Sequence, residues 1–287
     1  MTDKEIGIIW MISSGLWAAI NVSLTRFLTD DFSIFQIILF GCSFASLCII
    51  PQILKNGLLS LGIKKIKLYF VRSVFEFLGS VMAVYSITLI TLPEFTSISF
   101  VTPLLTVFGA SVFFKEKNSW HIWLALIAGI TGVVIVAKPT MEVLHHGSLF
   151  ALLAAFFWAA SMLIAKKLTD GDKPSIITFY LLLIVGLLSA MPAAINWITP
   201  DLKQLVLFAL MGTTGYMVHY STAKAFSKTD VSIVMPFRFL SLVFVSIIAY
   251  FAFGQILDIP TIIGSVIILV SVMHVLRYKP TNKNKAI

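Results

Sequence analysis

The sequence predicts an all-α integral membrane protein, with ten transmembrane helices arranged as two inverted five-helix repeats. Three observations lead there. Of 287 residues, 59% are hydrophobic and 12% charged, and the mean hydropathy is +0.98. That is about half the charge of an ordinary soluble domain, and more apolar surface than a water-soluble fold of this size can hide. The apolar residues fall into runs of about 20, the length a bilayer core requires of a helix. Lysine and arginine then alternate in number from one connection to the next, as expected of a chain that crosses repeatedly. The same composition excludes a secreted disulfide scaffold, a disordered chain and a nucleic-acid-binding domain. The net charge of +8 comes from basic loops on one side of the membrane.

The spans follow in order. Span 6–25 comes after Lys4 and is closed by Arg26. Span 33–54 ends near Pro51 and is followed by Lys55. Span 68–90 follows Lys64, Lys65 and Lys67, and span 94–114 is closed by Lys115 and Lys117. Span 120–138 ends on Lys138. Span 147–167 ends on Lys166 and Lys167, and span 175–198 follows Lys173. Span 203–223 opens on Lys203 and stops before Lys224. Span 229–252 follows Lys228, and span 259–277 ends on Arg277. With ten spans, both termini share one side. That side collects 16 Lys and Arg against 3 on the other, with Arg72 and Arg238 inside spans. The asymmetry predicts cytoplasmic termini and a location in the cell inner membrane. Asp3, Lys4 and Glu5 precede an apolar run too long for a cleavable signal. Short apolar runs typical of barrel strands are absent from the pattern.

The two halves repeat. Trp17 with Ala18 and Ala19 recurs as Trp158 with Ala159 and Ala160, 141 residues on, and Pro51 recurs as Pro192 at the same offset. The end of span four, Phe113-Phe114-Lys115-Glu116, corresponds to Ala252-Phe253-Gly254-Gln255. The halves are 1–139 and 140–287. Because five is odd, the second enters the membrane from the opposite face, the arrangement that alternating-access carriers use.

Several segments carry a family resemblance: Arg72-Ser73, Thr102-Pro103-Leu104-Leu105, Phe113-Phe114-Lys115-Glu116, and Gly129-Ile130-Thr131-Gly132-Val133-Val134. With them, residues 6–277 resemble the drug/metabolite transporter superfamily of the ten-helix EamA type. In the second half Gln255 stands where the family usually has Glu, and Leu242 where it usually has Pro. Met235-Pro236-Phe237-Arg238-Phe239-Leu240 is similar to the ninth helix of a subgroup that includes S-adenosylmethionine uptake carriers of intracellular bacteria. The resemblance implies a secondary transporter, with spans 1–4 and 6–9 around a central cavity and spans five and ten outside it. It implies uptake of S-adenosylmethionine or its exchange for the spent product, working as an antiporter. Export of amino acids or related metabolites is the runner-up. A membrane-embedded enzyme or sensor is the alternative of another class, and no catalytic constellation in the chain supports it.

Ionisable residues inside spans are expensive and mark function by default. Glu76 lies about two turns into span three, with Arg72 one turn before it on the same face. Either Glu76 binds substrate or a proton, or it simply pairs with Arg72. Arg238 lies at a similar depth in span nine, just after Pro236, which is expected to break the helix. An acid and a base at one depth suit the two ends of a zwitterion; the alternative is a structural ion pair joining the halves. His219 and Asn21 are further candidates. Trp17, Tyr85, Trp158 and Tyr220 offer aromatic walls for planar or cationic solutes, or else they pack against lipid or core. Cys42 and Cys48 sit six residues apart on one helix, cannot bridge, and read as apolar filler. His145-His146 has no metal-ligand spacing, so no metal is expected. No nucleotide or phosphate motif appears, so no cofactor and no ATP coupling is expected. The expected partners are a small-molecule substrate and the lipid bilayer, with a homodimer left open and no nucleic acid.

Overall fold

The computed structural model describes residues 1–56, 65–90, 92–116, 120–137, 146–253 and 259–277. Expectations that rest on Lys64, Lys117, Lys138, His145, Gln255 and the basic tail after Arg277 lie outside the described residues, as do those on the side chains of Lys55 and Glu94.

Apolar runs fold as helices here because a helix satisfies its own backbone groups, which hydrocarbon cannot. The helices are α1 (Asp3–Leu28), α2 (Ile34–Asn56), α3 (Ile66–Leu89), α4 (Leu92–Ser99), α5 (Val101–Phe113), α6 (Trp120–Ala137) and α7 (His146–Leu168). They continue with α8 (Pro174–Ala193), α9 (Leu202–Lys228), α10 (Val231–Val234), α11 (Leu240–Phe253) and α12 (Ile259–Arg277). Among the described residues there is no strand. Two long helices begin with reciprocal caps that satisfy their first amides. In α1 the Thr2 hydroxyl accepts from Glu5 N and the Glu5 carboxylate from Thr2 N. In α9 Asp201 and Gln204 do the same, at 2.7 and 2.9 Å.

Two predicted spans are broken. Span nine breaks where Pro236 was expected to break it: α10 ends at Val234, Met235–Phe239 forms a 3-10 segment, and α11 follows. Span four, expected as one helix, is divided at Phe100 into α4 and α5. Pro103 gives the reason. It lacks an amide proton and fits best in a first helical turn, and the helix restarts just upstream of it, whereas Pro51 is carried inside α2. The rings of Phe100 and Phe239, at the two breaks, meet with centroids 5.2 Å apart.

Among the described residues, six segments are long and apolar enough to cross a membrane: Asp3–Leu28, Ile34–Leu54, Ile66–Leu89, His146–Leu168, Pro174–Ala193 and Val231–Ile248. Val101–Phe113, Trp120–Gly132 and Ile262–Ser271 are shorter apolar helices. Helix α9 has the length but is more polar, carrying Thr213, Thr214, His219, Ser221 and Thr222 in its body. Phe108, Phe113, Leu187, Met191 and Phe251 project outward fully or largely exposed. Such a surface suits acyl chains rather than water.

Helix α1 packs chiefly on α9, α3 on α7, α2 on α8 and α9, and α6 on α12. Gly129 of α6 lets that helix seat directly on the Phe239 ring, where an added Cβ would meet ring carbons at 2.6 Å. The outer pair α6–α12 thereby backs the 3-10 segment that carries Arg238.

Candidate functional site

A cavity of about 290 Å³ lies at the centre of the bundle, at the small end of the range for metabolite-sized sites. It is lined by α1, α2, α3, α4, α5, α7, α8, α9, the 3-10 segment and α11. No described residue of α6 or α12 lines it. Most of the wall is apolar, and the ionisable groups gather in one region: Arg72 and Glu76 from α3, His219 from α9 and Arg238 from the 3-10 segment. His219 lies in the combined field of Glu76, Arg72 and Arg238.

Each charge is held by a neighbouring helix. Glu76, 9% exposed, accepts a 2.5 Å hydrogen bond from the Ser161 hydroxyl of α7. Arg238 donates from Nη1 to Ser14 Oγ of α1 at 2.6 Å. Ser14 is fixed in turn by Thr222 Oγ1 at 2.8 Å and Val218 O at 3.1 Å, both on α9. Arg72, 4% exposed, donates from Nη1 to the Ile177 carbonyl of α8 at 2.9 Å. Its spacing from Glu76 would allow a pair, yet no ion pair within 4 Å joins these groups among the described residues. Arg72 reaches sideways to α8 instead, and Glu76 turns to α7.

Asn21 lines the cavity and straps α1 to α9 through Nδ2, which donates to Met211 O at 2.8 Å and Thr214 Oγ1 at 3.0 Å. Both amide protons are committed, so toward a ligand Asn21 can only accept. Trp158 also lines the wall. Its indole lies on Gly79, where a Cβ would stand 2.7 Å from Cδ1, and its Nε1 is buried without a hydrogen-bond partner among the described residues.

The cavity is offset along the bundle. Its lining reaches Thr25, Ile37 and Ile87, near the α1–α2 turn, but includes nothing of α1 before Ala18, nothing of α2 after Ala45 and nothing of α10. At the other end, where the lining reaches Arg72, Ala165 and Met235, the neighbouring α9–α10 turn is clamped. The Glu116 carboxylate, following α5, accepts from Val231 N and Ser232 N at 3.1 Å each and from the Ser232 hydroxyl. Lys166 Nζ donates to the Phe226 and Thr229 carbonyls at 2.9 and 3.0 Å. Lys228 pairs with Asp3 at 2.8 Å.

The profile of the EamA-like transporter family matches this chain twice, over residues 5–138 and 145–277. The chain belongs to the EamA-like transporter family. An S-adenosylmethionine uptake transporter of Rickettsia bellii is 29% identical over 95% of this chain and 94% of its own length. A riboflavin transporter of Vibrio cholerae is 25% identical over 97% and 95%. A solved crystal structure superposes with a TM-score of 0.78 at 14% identity, covering 93% of this chain and 95% of the other, which shows a shared fold. This EamA-family chain is thus a multi-pass membrane transporter, and the family and these relatives are transporters rather than enzymes.

Of the residues singled out in the sequence of this EamA-family chain, Glu76, Arg238, His219, Asn21 and Trp158 come together on the cavity wall. Trp17, Tyr85 and Tyr220 do not. Trp17 donates from Nε1 to Ser13 within α1 at 3.1 Å. Tyr85 is 41% exposed on the outside of α3, edge-on to Phe150. Tyr220 packs between Trp10 and Tyr216. Aromatic identity did not reveal which helix face each occupies. Sequence reading also missed the serines that hold the charges, Ser14 and Ser161. The available signal was a small hydroxyl inside an apolar span, which in hydrocarbon must find an acceptor or a donor.

Proposed function

We propose that this chain is a ten-helix secondary transporter of the cell inner membrane, with cytoplasmic termini, built from inverted halves 1–139 and 140–287. It moves a small metabolite with an amino-acid moiety by alternating access, and its substrate is S-adenosylmethionine, taken up or exchanged for its spent product. The observation that carries the reading is the pair Glu76 and Arg238. One comes from each half, both face one cavity, and each is positioned by a hydroxyl with no counter-ion within 4 Å among the described residues. Glu76 and Arg238 feel each other's charge without touching, and a buried charge with no contacting counter-ion is unfavourable, so a zwitterionic solute between them supplies both contacts at once. Its carboxylate meets the planar fork of Arg238, and its ammonium or sulfonium meets Glu76. The name of the Rickettsia relative supports the choice of substrate.

The two-half reading is supported by the repeated family match and by the packing. Exchanging the halves converts the α1–α9 contact into the α7–α3 contact and α2–α9 into α8–α3, and all four occur. The helix breaks at Phe100 and Phe239 are 139 residues apart, the offset that relates Glu116 to Gln255. With the termini cytoplasmic, the clamped α9–α10 turn closes the cytoplasmic side and the cavity lies toward the other face. The clamp must therefore open for release inward.

Counterflow in liposomes tests the proposal. Purified chain reconstituted with unlabelled S-adenosylmethionine inside should accelerate entry of the labelled compound, and S-adenosylhomocysteine inside should drive the same exchange. Acceleration with amino acids but neither sulfonium compound nor its product would reassign the substrate. No acceleration with any amino-acid-bearing solute would sink the zwitterion reading.

A further inference from the structure

Arg72 is the charge in the cavity that the zwitterion reading leaves unused. It is almost fully buried, at 4% exposure, and lines the cavity. One guanidinium nitrogen donates to Ile177 O at 2.9 Å, while Nε has no hydrogen-bond partner among the described residues. No described carboxylate comes within 4 Å of it. Glu76, one turn along α3, is engaged with Ser161. Asp172 takes the Tyr69 hydroxyl at 2.9 Å and Lys65 Nζ at 3.2 Å. Arginine cannot escape its burial by losing its proton under ordinary conditions. A permanently charged, desolvated group on a cavity wall, touched by no described carboxylate and offset only by the more distant charge of Glu76, favours an anion in the cavity.

The charge balance points the same way. Two guanidinia, Arg72 and Arg238, face the cavity against the single carboxylate of Glu76 among its described lining residues. The empty site therefore carries an excess of positive charge, and a low-dielectric wall strengthens its selection for an anionic group. A solute bearing a cationic centre but no carboxylate would satisfy Glu76 and leave both arginines uncompensated.

We propose that Arg72 is a ligand-binding, specificity-determining residue whose guanidinium helps hold the anionic group of the transported metabolite, so that the carrier selects solutes bearing a carboxylate over their decarboxylated counterparts. This rests on the reading that the central cavity is the substrate site. The competing role is a strut, in which Arg72 serves only to tie α3 to α8 through Ile177.

The two roles separate in a preference ratio rather than in overall affinity. Binding by the full chain in detergent is measured for matched pairs: S-adenosylmethionine with its decarboxylated form, methionine with 3-(methylthio)propylamine, arginine with agmatine. The unaltered chain should favour the carboxylate-bearing member of whichever pair it binds. In Arg72→Gln that preference should fall about tenfold or more, the usual weight of a hydrogen bond to a charged group. The affinity for the decarboxylated member should stay the same or rise. Arg72→Lys, which keeps the charge without the fork, should fall in between. An unchanged ratio in folded Arg72→Gln overturns the assignment while leaving the transporter reading intact. Failure of both variants to fold, seen as loss of a monodisperse elution peak, makes Arg72 a strut and also overturns it. No binding of any carboxylate-bearing solute by the unaltered chain overturns both readings together.

Discussion

Arg238 sits at the end of a relay of hydroxyls: its Nη1 donates to Ser14, and Ser14 is fixed by Thr222 and the Val218 carbonyl. The relay aims a planar fork into the cavity, and only arginine supplies that fork. Arg238→Lys should therefore elute and melt like the unaltered chain yet lose more than about tenfold in uptake, because a lysine keeps the charge but not bidentate geometry. Uptake near the normal rate would leave Arg238 as a structural charge. Ser161→Ala removes the only hydrogen bond described for the Glu76 carboxylate. A hydrogen bond to a charged group contributes about 1.5–3 kcal/mol. The variant should bind substrate at least tenfold more weakly, in the range that energy implies, as read by calorimetry; unaltered affinity would mean that Glu76 is oriented by something else. The sequence disclosed these charges because an ionisable group in an apolar run stands out whatever its neighbours. It could not disclose that Arg72 and Glu76 part company, since spacing allows a pair but the choice was made by Ile177 and Ser161, 105 and 85 residues away. Nor could it separate Trp158, on the wall, from Trp17, off it, because both helices are apolar on most of their circumference.

At the scale of helices, proline was legible only in part, since Pro51, expected to close span two, lies inside α2, which runs on to Asn56. Pro236 announced the break in span nine. Pro103 carried the same message for span four, but a single apolar run hid it, because a proline within a long apolar stretch can also be absorbed as a kink. The clamp on α10 was not legible, since it joins Glu116 to residues 115 and 116 positions further on. That carboxylate caps a helix of four residues, too short to hold itself, so its removal should be felt. Glu116→Ala should destabilise the chain by about 1–2 kcal/mol, the range of a lost N-cap. A drop of a few degrees in melting temperature in detergent would register it. An unchanged melt would mean that the apolar contacts of Val231 and Val234 suffice. Gly79→Ala tests the opposite kind of fit. Its methyl would stand 2.7 Å from Trp158 Cδ1 and 2.9 Å from Nε1. Trp158 must shift or α3 and α7 must part, at about 1–3 kcal/mol. Substrate binding should weaken together with stability; a stable variant with normal binding would remove Trp158 from the recognised wall.

At the scale of the molecule, the predicted orientation depends on charge counted over connections rather than on any contact. Sixteen Lys and Arg on one side against three on the other is a strong bias for short loops. The fold makes it testable at described, exposed positions. Asp30 and Asn196 lie at the same end of the bundle as the α1–α2 turn, toward which the cavity is offset, while Asp170 lies at the end with the α9–α10 clamp. With Cys42 and Cys48 replaced by alanine, Asp30→Cys and Asn196→Cys should react with a membrane-impermeant maleimide added to intact cells. Asp170→Cys should react only after the membrane is permeabilised. The reverse pattern would place the termini outside and would require the clamp of Glu116, Lys166 and the Asp3–Lys228 pair to close the extracytoplasmic face instead. The same three variants report on gating. If the clamp opens when substrate is released inward, saturating substrate in permeabilised cells should raise the labelling rate at Asp170→Cys and lower it at Asp30→Cys. Two related halves rocking about one cavity expose one end only as they seal the other. Labelling that rises at both ends together would describe a pore rather than a carrier, and would overturn alternating access for this chain.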